Sequence, residues 1–132
     1  MARILIVDDD ESDRLFERAI LQDAGHALFF ASDGESALEA YRKFRIEIVI
    51  TDLQMPRLNG LQLIRELKEI DPLATIIAVS GVAAAQLGRA RELGAVTTIK
   101  KPVMPSELMA ALREILHPGD TADPWRGHDR DF

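Results

Sequence analysis

Short aliphatic runs alternate five times along the chain with longer stretches whose apolar residues recur at helical spacing. Residues 3–7 form an aliphatic run without polar alternation, which predicts a parallel strand covered on both faces. Residues 11–24 follow as a helix with Leu15, Phe16, Ala19, Ile20 and Leu21 as its apolar positions, and Gly25 is a natural stop. A second strand spans 27–31. Ser32-Asp33-Gly34-Glu35 resembles a capping box, with Glu35 three residues after Ser32, and opens a helix to about Phe44. Residues 47–51 predict the third strand. The loop from Asp52 to Asn59 contains Pro56 and runs through Asn59-Gly60 into a helix ending at Ile70. Asp71-Pro72 closes that helix, because the residue before a proline is biased away from helical geometry.

A fourth strand at 75–79 and a fourth helix at 83–93 come next. Gly88 costs that helix about 1 kcal/mol relative to alanine, so it is the element expected to remodel most easily. Residues 96–99 predict the fifth strand. Pro105 suits the first turn of a last helix to about Leu116, closed by His117-Pro118-Gly119. Strands alternating with helices of this length predict βαβ units, hence an α/β fold with a doubly wound parallel sheet and helices on both faces. Residues 1–118 are expected to form the domain. Residues 119–132, with four aspartates, two arginines and no apolar periodicity, read as a flexible polar tail. Trp125 and Phe132 are its two large apolar side chains.

Composition narrows the function. A chain of 132 residues that is 47% hydrophobic supports one core and not two. A formal charge of −6 argues against nonspecific nucleic-acid binding, and no helix-turn-helix follows the domain. Lack of cysteine excludes disulfides and thiolate metal sites, and no apolar stretch would span a bilayer, so a cytoplasmic protein is expected.

The chemistry gathers at one edge. Asp8-Asp9-Asp10, Asp52, Ser80 and Lys101-Pro102 each follow a predicted strand, and in parallel sheets ligands sit beyond the carboxyl ends of the strands. Two negative charges about 4 Å apart repel by about 4 kcal/mol at an effective dielectric near 20, so Asp9 and Asp52 on adjacent tips call for a cation or a proton between them. Oxygen-only ligands completed by water and phosphate suit Mg²⁺. Asp10 is better placed to cap the first helix. A carboxylate such as Asp52 can attack phosphorus to give an acyl phosphate. The Ser80 hydroxyl and the Lys101 ammonium suit phosphoryl oxygens, while Lys100 is expected to face outward. Taken singly, an aspartate or a Ser-Gly pair at a strand end is more often a turn.

Asp8-Asp9, Asp52 with Met55-Pro56 and Asn59-Gly60, Ser80, and Lys101-Pro102 together resemble the receiver domain of two-component response regulators, over residues 3 to about 116. The resemblance implies a flavodoxin-like five-stranded sheet of order 2-1-3-4-5. It implies that Asp52 accepts a phosphoryl group from a sensor histidine kinase. Mg²⁺ would be held by Asp9, Asp52 and the backbone carbonyl of Gln54, with Asp8 acting through water. Ser80 and Lys101 would contact the phosphoryl group, and the bond before Pro102 would be cis. A downstream protein target would read the switched surface formed by the fourth helix, fifth strand and fifth helix. Pairing of two copies through the last helices is left open.

The sequence departs from the family pattern at three places. Thr98 stands where an aromatic switch residue is usual, Ser80 replaces the commoner threonine, and Met104 occupies a capping position. Gln54 and Val82 border the line of water attack and are expected to set the phosphorylated lifetime. Thr98 also suits a phosphorelay intermediate, which would pass its phosphoryl group to a histidine phosphotransfer protein and needs less conformational response. An enzyme of another kind, a Mg²⁺-dependent aspartyl-phosphate phosphatase, is disfavoured because Gln54 stands where a second carboxylate would act as general acid. A nicotinamide-binding fold lacks its glycine-rich loop. The chain is therefore expected to be a phosphorylation switch and not an enzyme acting on outside substrates.

Overall fold

A computed structural model describes residues 1–55, 59–81 and 84–118, without the side chain of Ala84. Five strands alternate with five helices: β1 (Arg3–Val7), α1 (Glu11–Gln22), β2 (Ala27–Ala31), α2 (Gly34–Phe44), β3 (Ile48–Asp52), α3 (Gly60–Ile70), β4 (Thr75–Ser80), α4 (Ala84–Leu93), β5 (Thr97–Lys100) and α5 (Pro105–Leu116). The strands form one parallel sheet of order β2-β1-β3-β4-β5. β1 lies at the point where the order reverses, so the crevice between the tips of β1 and β3 is the expected ligand position.

The unbroken aliphatic runs of β1, β3 and β4 make sense because each strand is covered on both sides. Leu5, Val7, Val49, Ile76 and Ala78 pack with Ala37, Ala40, Leu63, Ile64 and Leu67 beneath α2, α3 and α4. Ile4, Ile6, Ile48, Ile50, Ile77 and Val79 face Leu21, Leu108 and Leu112 of α1 and α5. The sheet thus separates two apolar layers.

Several boundaries and caps differ from those the sequence predicts. α1 ends at Gln22 and Gly25 (φ +80°) turns the chain afterward. α2 is capped by Asp33, whose carboxylate accepts from the Ser36 N–H at 2.8 Å, and not by Ser32. β3 and β4 each run one residue further, through Asp52 and Ser80. β5 starts at Thr97, and Val96 is left 56% exposed. Asp10 caps α1 by accepting from Asp13 N–H at 3.1 Å. α5 starts without a side-chain cap at Met104 and with Pro105 in its first turn, as the sequence predicts.

The larger difference is the inward face of α1. Of the apolar positions at helical spacing, Leu15 and Phe16 are 53% and 48% exposed, whereas Glu17 is buried at 4% beside Leu21. With the helix start fixed by Asp10, residues 13, 17, 20 and 21 share a face at i, i+3 and i+4 spacing, and two of them are acidic.

Candidate functional site

The two middle strands bring the acidic tips together. β1 delivers Asp8 and Asp9, β3 delivers Asp52, and the register pairs Val7 with Thr51, immediately before the carboxylates. Asp8 and Asp52 are buried and Asp9 is exposed. One carboxylate oxygen from each of the three lies within 4.8 Å of the others. Gly60 lets α3 sit against this tip: a Cβ there would press into the carbonyl oxygen of Asp52 and the Cα of Leu53. The Gly60 N–H donates to the Leu53 carbonyl at 2.9 Å, and Asn59 caps α3 by accepting from Gln62 N–H.

β4 and β5 complete the edge. Ser80 closes β4, fully buried, with its Cα partnered by Lys100. Lys101 N–H donates to the Ser80 carbonyl at 2.9 Å, and the cis bond from Lys101 to Pro102 turns the chain away. The Lys101 ammonium reaches back across the edge. It lies 3.1 Å from Asp52 Oδ2, 3.5 Å from Asp8 Oδ2 and 2.8 Å from Asp13 Oδ2. Lys100 faces outward, as the sequence predicts. Thr98 lies farther back in β5, opposite Ala78, and is not part of the edge.

The electrostatics follow from packing three carboxylates around one ammonium. Burial pushes the Asp8 carboxyl from its ordinary 3.8 up to about 6, against the lowering effects of the Asp10 N–H and Lys101; Asp52 adds to the rise. Lys101 is held above the ordinary lysine range: burial works against its charge, but the bonds to Asp13 and Asp52 outweigh it. Glu17 rises from 4.5 to about 8, first through burial and then through the nearby Asp8. A carboxyl group that is partly desolvated and faces two others is a good ligand for a hard divalent ion, which relieves both penalties. The all-oxygen donor set of Asp8, Asp9 and Asp52 therefore fits Mg²⁺ and disfavours softer metals.

Gln54 is exposed, and its N–H donates to Asp52 Oδ1 at 3.2 Å, which fixes the carboxylate plane. A cavity of about 480 Å³ opens beside it, lined by Asp9, Gln54, Met55, Asn59 and Gln86 among others. Pro56 and Val82 lie outside the described residues, as do Trp125, Phe132 and the rest of 119–132. Asp13 and Glu17 were not among the residues singled out from sequence. Their signal was present in the spacing from the Asp10 cap, but charged positions on an amphipathic helix are ordinarily solvated ones.

Comparison with known proteins agrees with this geometry. The family model described as the response regulator receiver domain matches residues 4–113. The chemotaxis protein CheY of Thermotoga maritima is 36% identical over 115 residues, covering 86% of this chain and 96% of that protein. A response regulator receiver protein of Anaeromyxobacter sp. is 40% identical over 106 residues, covering 78% of this chain and 44% of its own length. Among solved structures, CheY in the CheX-CheY-BeF₃-Mg²⁺ complex from Borrelia burgdorferi superposes with a TM-score of 0.83 at 26% identity, covering 87% of this chain and 89% of that one. With the acidic tips of β1 and β3 and a family match spanning nearly all of the sheet and helices, the chain belongs to the response regulator receiver domains.

Proposed function

We propose that this receiver accepts a phosphoryl group on Asp52 from a histidine kinase and thereby switches a surface read by another protein. The observation that carries the proposal is the setting of Asp52. Its carboxylate is 7% exposed at the tip of β3, with Oδ2 at 3.1 Å from the Lys101 ammonium and Oδ1 fixed by the Gln54 N–H. A buried carboxylate with one oxygen oriented by the backbone is preorganised as a nucleophile.

In the reaction, an Asp52 oxygen forms a bond to phosphorus while the bond from phosphorus to the donor imidazole nitrogen breaks. The electron pair of that bond stays on the imidazole. A Mg²⁺ ion held by Asp9, Asp52 and the Gln54 carbonyl, with Asp8 acting through water, would neutralise charge on the phosphoryl oxygens. Lys101 would bind one phosphoryl oxygen as a point charge, and the Ser80 hydroxyl would donate to another. Water attack on phosphorus would reverse the modification, with Gln54 at the mouth of the approach. The only substrate turned over is thus the protein's own aspartyl phosphate. The BeF₃ and Mg²⁺ named with the Borrelia CheY support the same pairing here, since beryllofluoride mimics a phosphoryl group.

The test is labelling by a small phosphodonor such as acetyl phosphate, with and without Mg²⁺. The wild type should label in a Mg²⁺-dependent way and Asp52→Asn should not, with unchanged far-UV circular dichroism. Persistent labelling of the variant rejects the assignment. Thr98 supports a second reading as a phosphorelay intermediate, because a small side chain at that point of β5 cannot act as a rotating ring. Transfer out of the labelled protein to a histidine phosphotransfer protein would distinguish it.

A further inference from the structure

We propose that Asp13 is the resting partner of Lys101, and that a phosphoryl group on Asp52 takes the ammonium from it and releases the first turn of α1. This rests on the reading of Asp52 as phosphoacceptor and concerns what the modification then moves.

The Lys101 ammonium has three N–H donors and three carboxylates around it, at 2.8 Å (Asp13), 3.1 Å (Asp52) and 3.5 Å (Asp8). The shortest contact goes to α1, not to either strand tip. Asp13 also ties the helix start, since its N–H donates to the Asp10 carboxylate. One ion pair thus joins the first turn of α1 to the segment after β5, two pieces 88 residues apart in sequence. Beneath it lies a cavity of about 410 Å³ lined by Asp13, Phe16, Glu17, Lys101, Pro102 and Val103.

Phosphorylation changes the competition at this ammonium. The Asp52 oxygens lose their formal charge in the acyl phosphate, while about two negative charges appear on the phosphoryl oxygens. Asp13, 42% exposed at its side chain, offers one charge screened by water. The phosphoryl group therefore wins the lysine. Losing its partner, the first turn of α1 keeps its cap but loses its anchor to the β5–α5 segment, and the half-exposed Phe16 beside the cavity is freed to repack. The output surface of this chain then includes α1, where Thr98 leaves the opposite route through β5 without an aromatic lever.

The experiment titrates wild type and Asp13→Asn with beryllofluoride in saturating Mg²⁺, following affinity and amide hydrogen exchange over residues 11–18. In the wild type, exchange there should speed up on binding. In Asp13→Asn it should be fast already, and beryllofluoride should bind roughly two- to fivefold more tightly. Asp13→Glu should restore wild-type behaviour. In a Lys101→Met background the Asp13→Asn effect on affinity should vanish, because Asp13 acts through the lysine; an effect that persists there means simple repulsion and overturns the proposal. Unchanged exchange in the wild type, or unchanged affinity in Asp13→Asn, overturns it as well. If neither protein takes up beryllofluoride, the Asp52 assignment itself has failed.

Discussion

Replacing Glu17 with glutamine should flatten the alkaline side of the stability profile. The carboxyl is 4% exposed on the inward face of α1, and its pKa rises from 4.5 to about 8 because burial disfavours the anion. A group raised in the folded state favours folding when protonated. Its contribution is fully present below 4.5 and is lost as pH climbs through 8. At about 1.4 kcal/mol per pH unit, the whole loss is about 5 kcal/mol, of which about 3 kcal/mol falls above pH 6. Restricting the comparison to that range avoids most of the Asp8 transition, which lies between 3.8 and about 6. Glutamine keeps the shape of the protonated acid without titrating. Urea unfolding in the presence of a chelator at pH 6, 7 and 9 should show the wild type losing about 3 kcal/mol more than Glu17→Gln. Parallel profiles would mean that Glu17 reaches water in solution, and the inward face assigned to α1 would be wrong.

Three further outcomes can be measured directly. Gly60→Ala should cost about 3 kcal/mol and lower the melting temperature by about 10 °C, because the added methyl meets the backbone at Asp52 and Leu53; an unchanged melting temperature contradicts the close approach. The His26 ring should titrate below its ordinary 6.5 by NMR, since burial and then the N-terminal charge disfavour the cation and its Nδ1 accepts the Ala2 N–H at 3.1 Å. That contribution to stability is present above 6.5 and is lost as pH falls; a midpoint above 6.5 refutes it. Asp10→Ala should cost about 1 kcal/mol in urea unfolding and Asp10→Asn much less, since asparagine caps equally well. Equal losses in the two would remove the cap as the cause.

The sheet was legible because parallel strands buried on both faces leave aliphatic runs that nothing else explains, as at Ile4–Val7 and Ile48–Ile50. The carboxyl-edge cluster was legible for the same reason: each polar residue directly follows such a run, and strand direction alone sends them to one side. Strand order was not contained in the runs and came only from family resemblance. Ser32 and Asp33 are both good caps, and only the extended backbone at Asp33, with its bond to Ser36, decides between them. In α1 the apolar spacing does not mark the buried face: Glu17 is buried and Asp13 reaches Lys101, while Phe16 faces partly outward. Long-range charge pairing across 88 residues leaves no local trace in sequence.

The division of the interior by the sheet also has a practical side. Among the described residues, side chains under α2, α3 and α4 share no cluster with those under α1 and α5. An engineer could therefore harden the layer under α2 and α3 with tighter-packing substitutions away from Leu53 and Met55 and leave the packing of α1 and α5 unchanged.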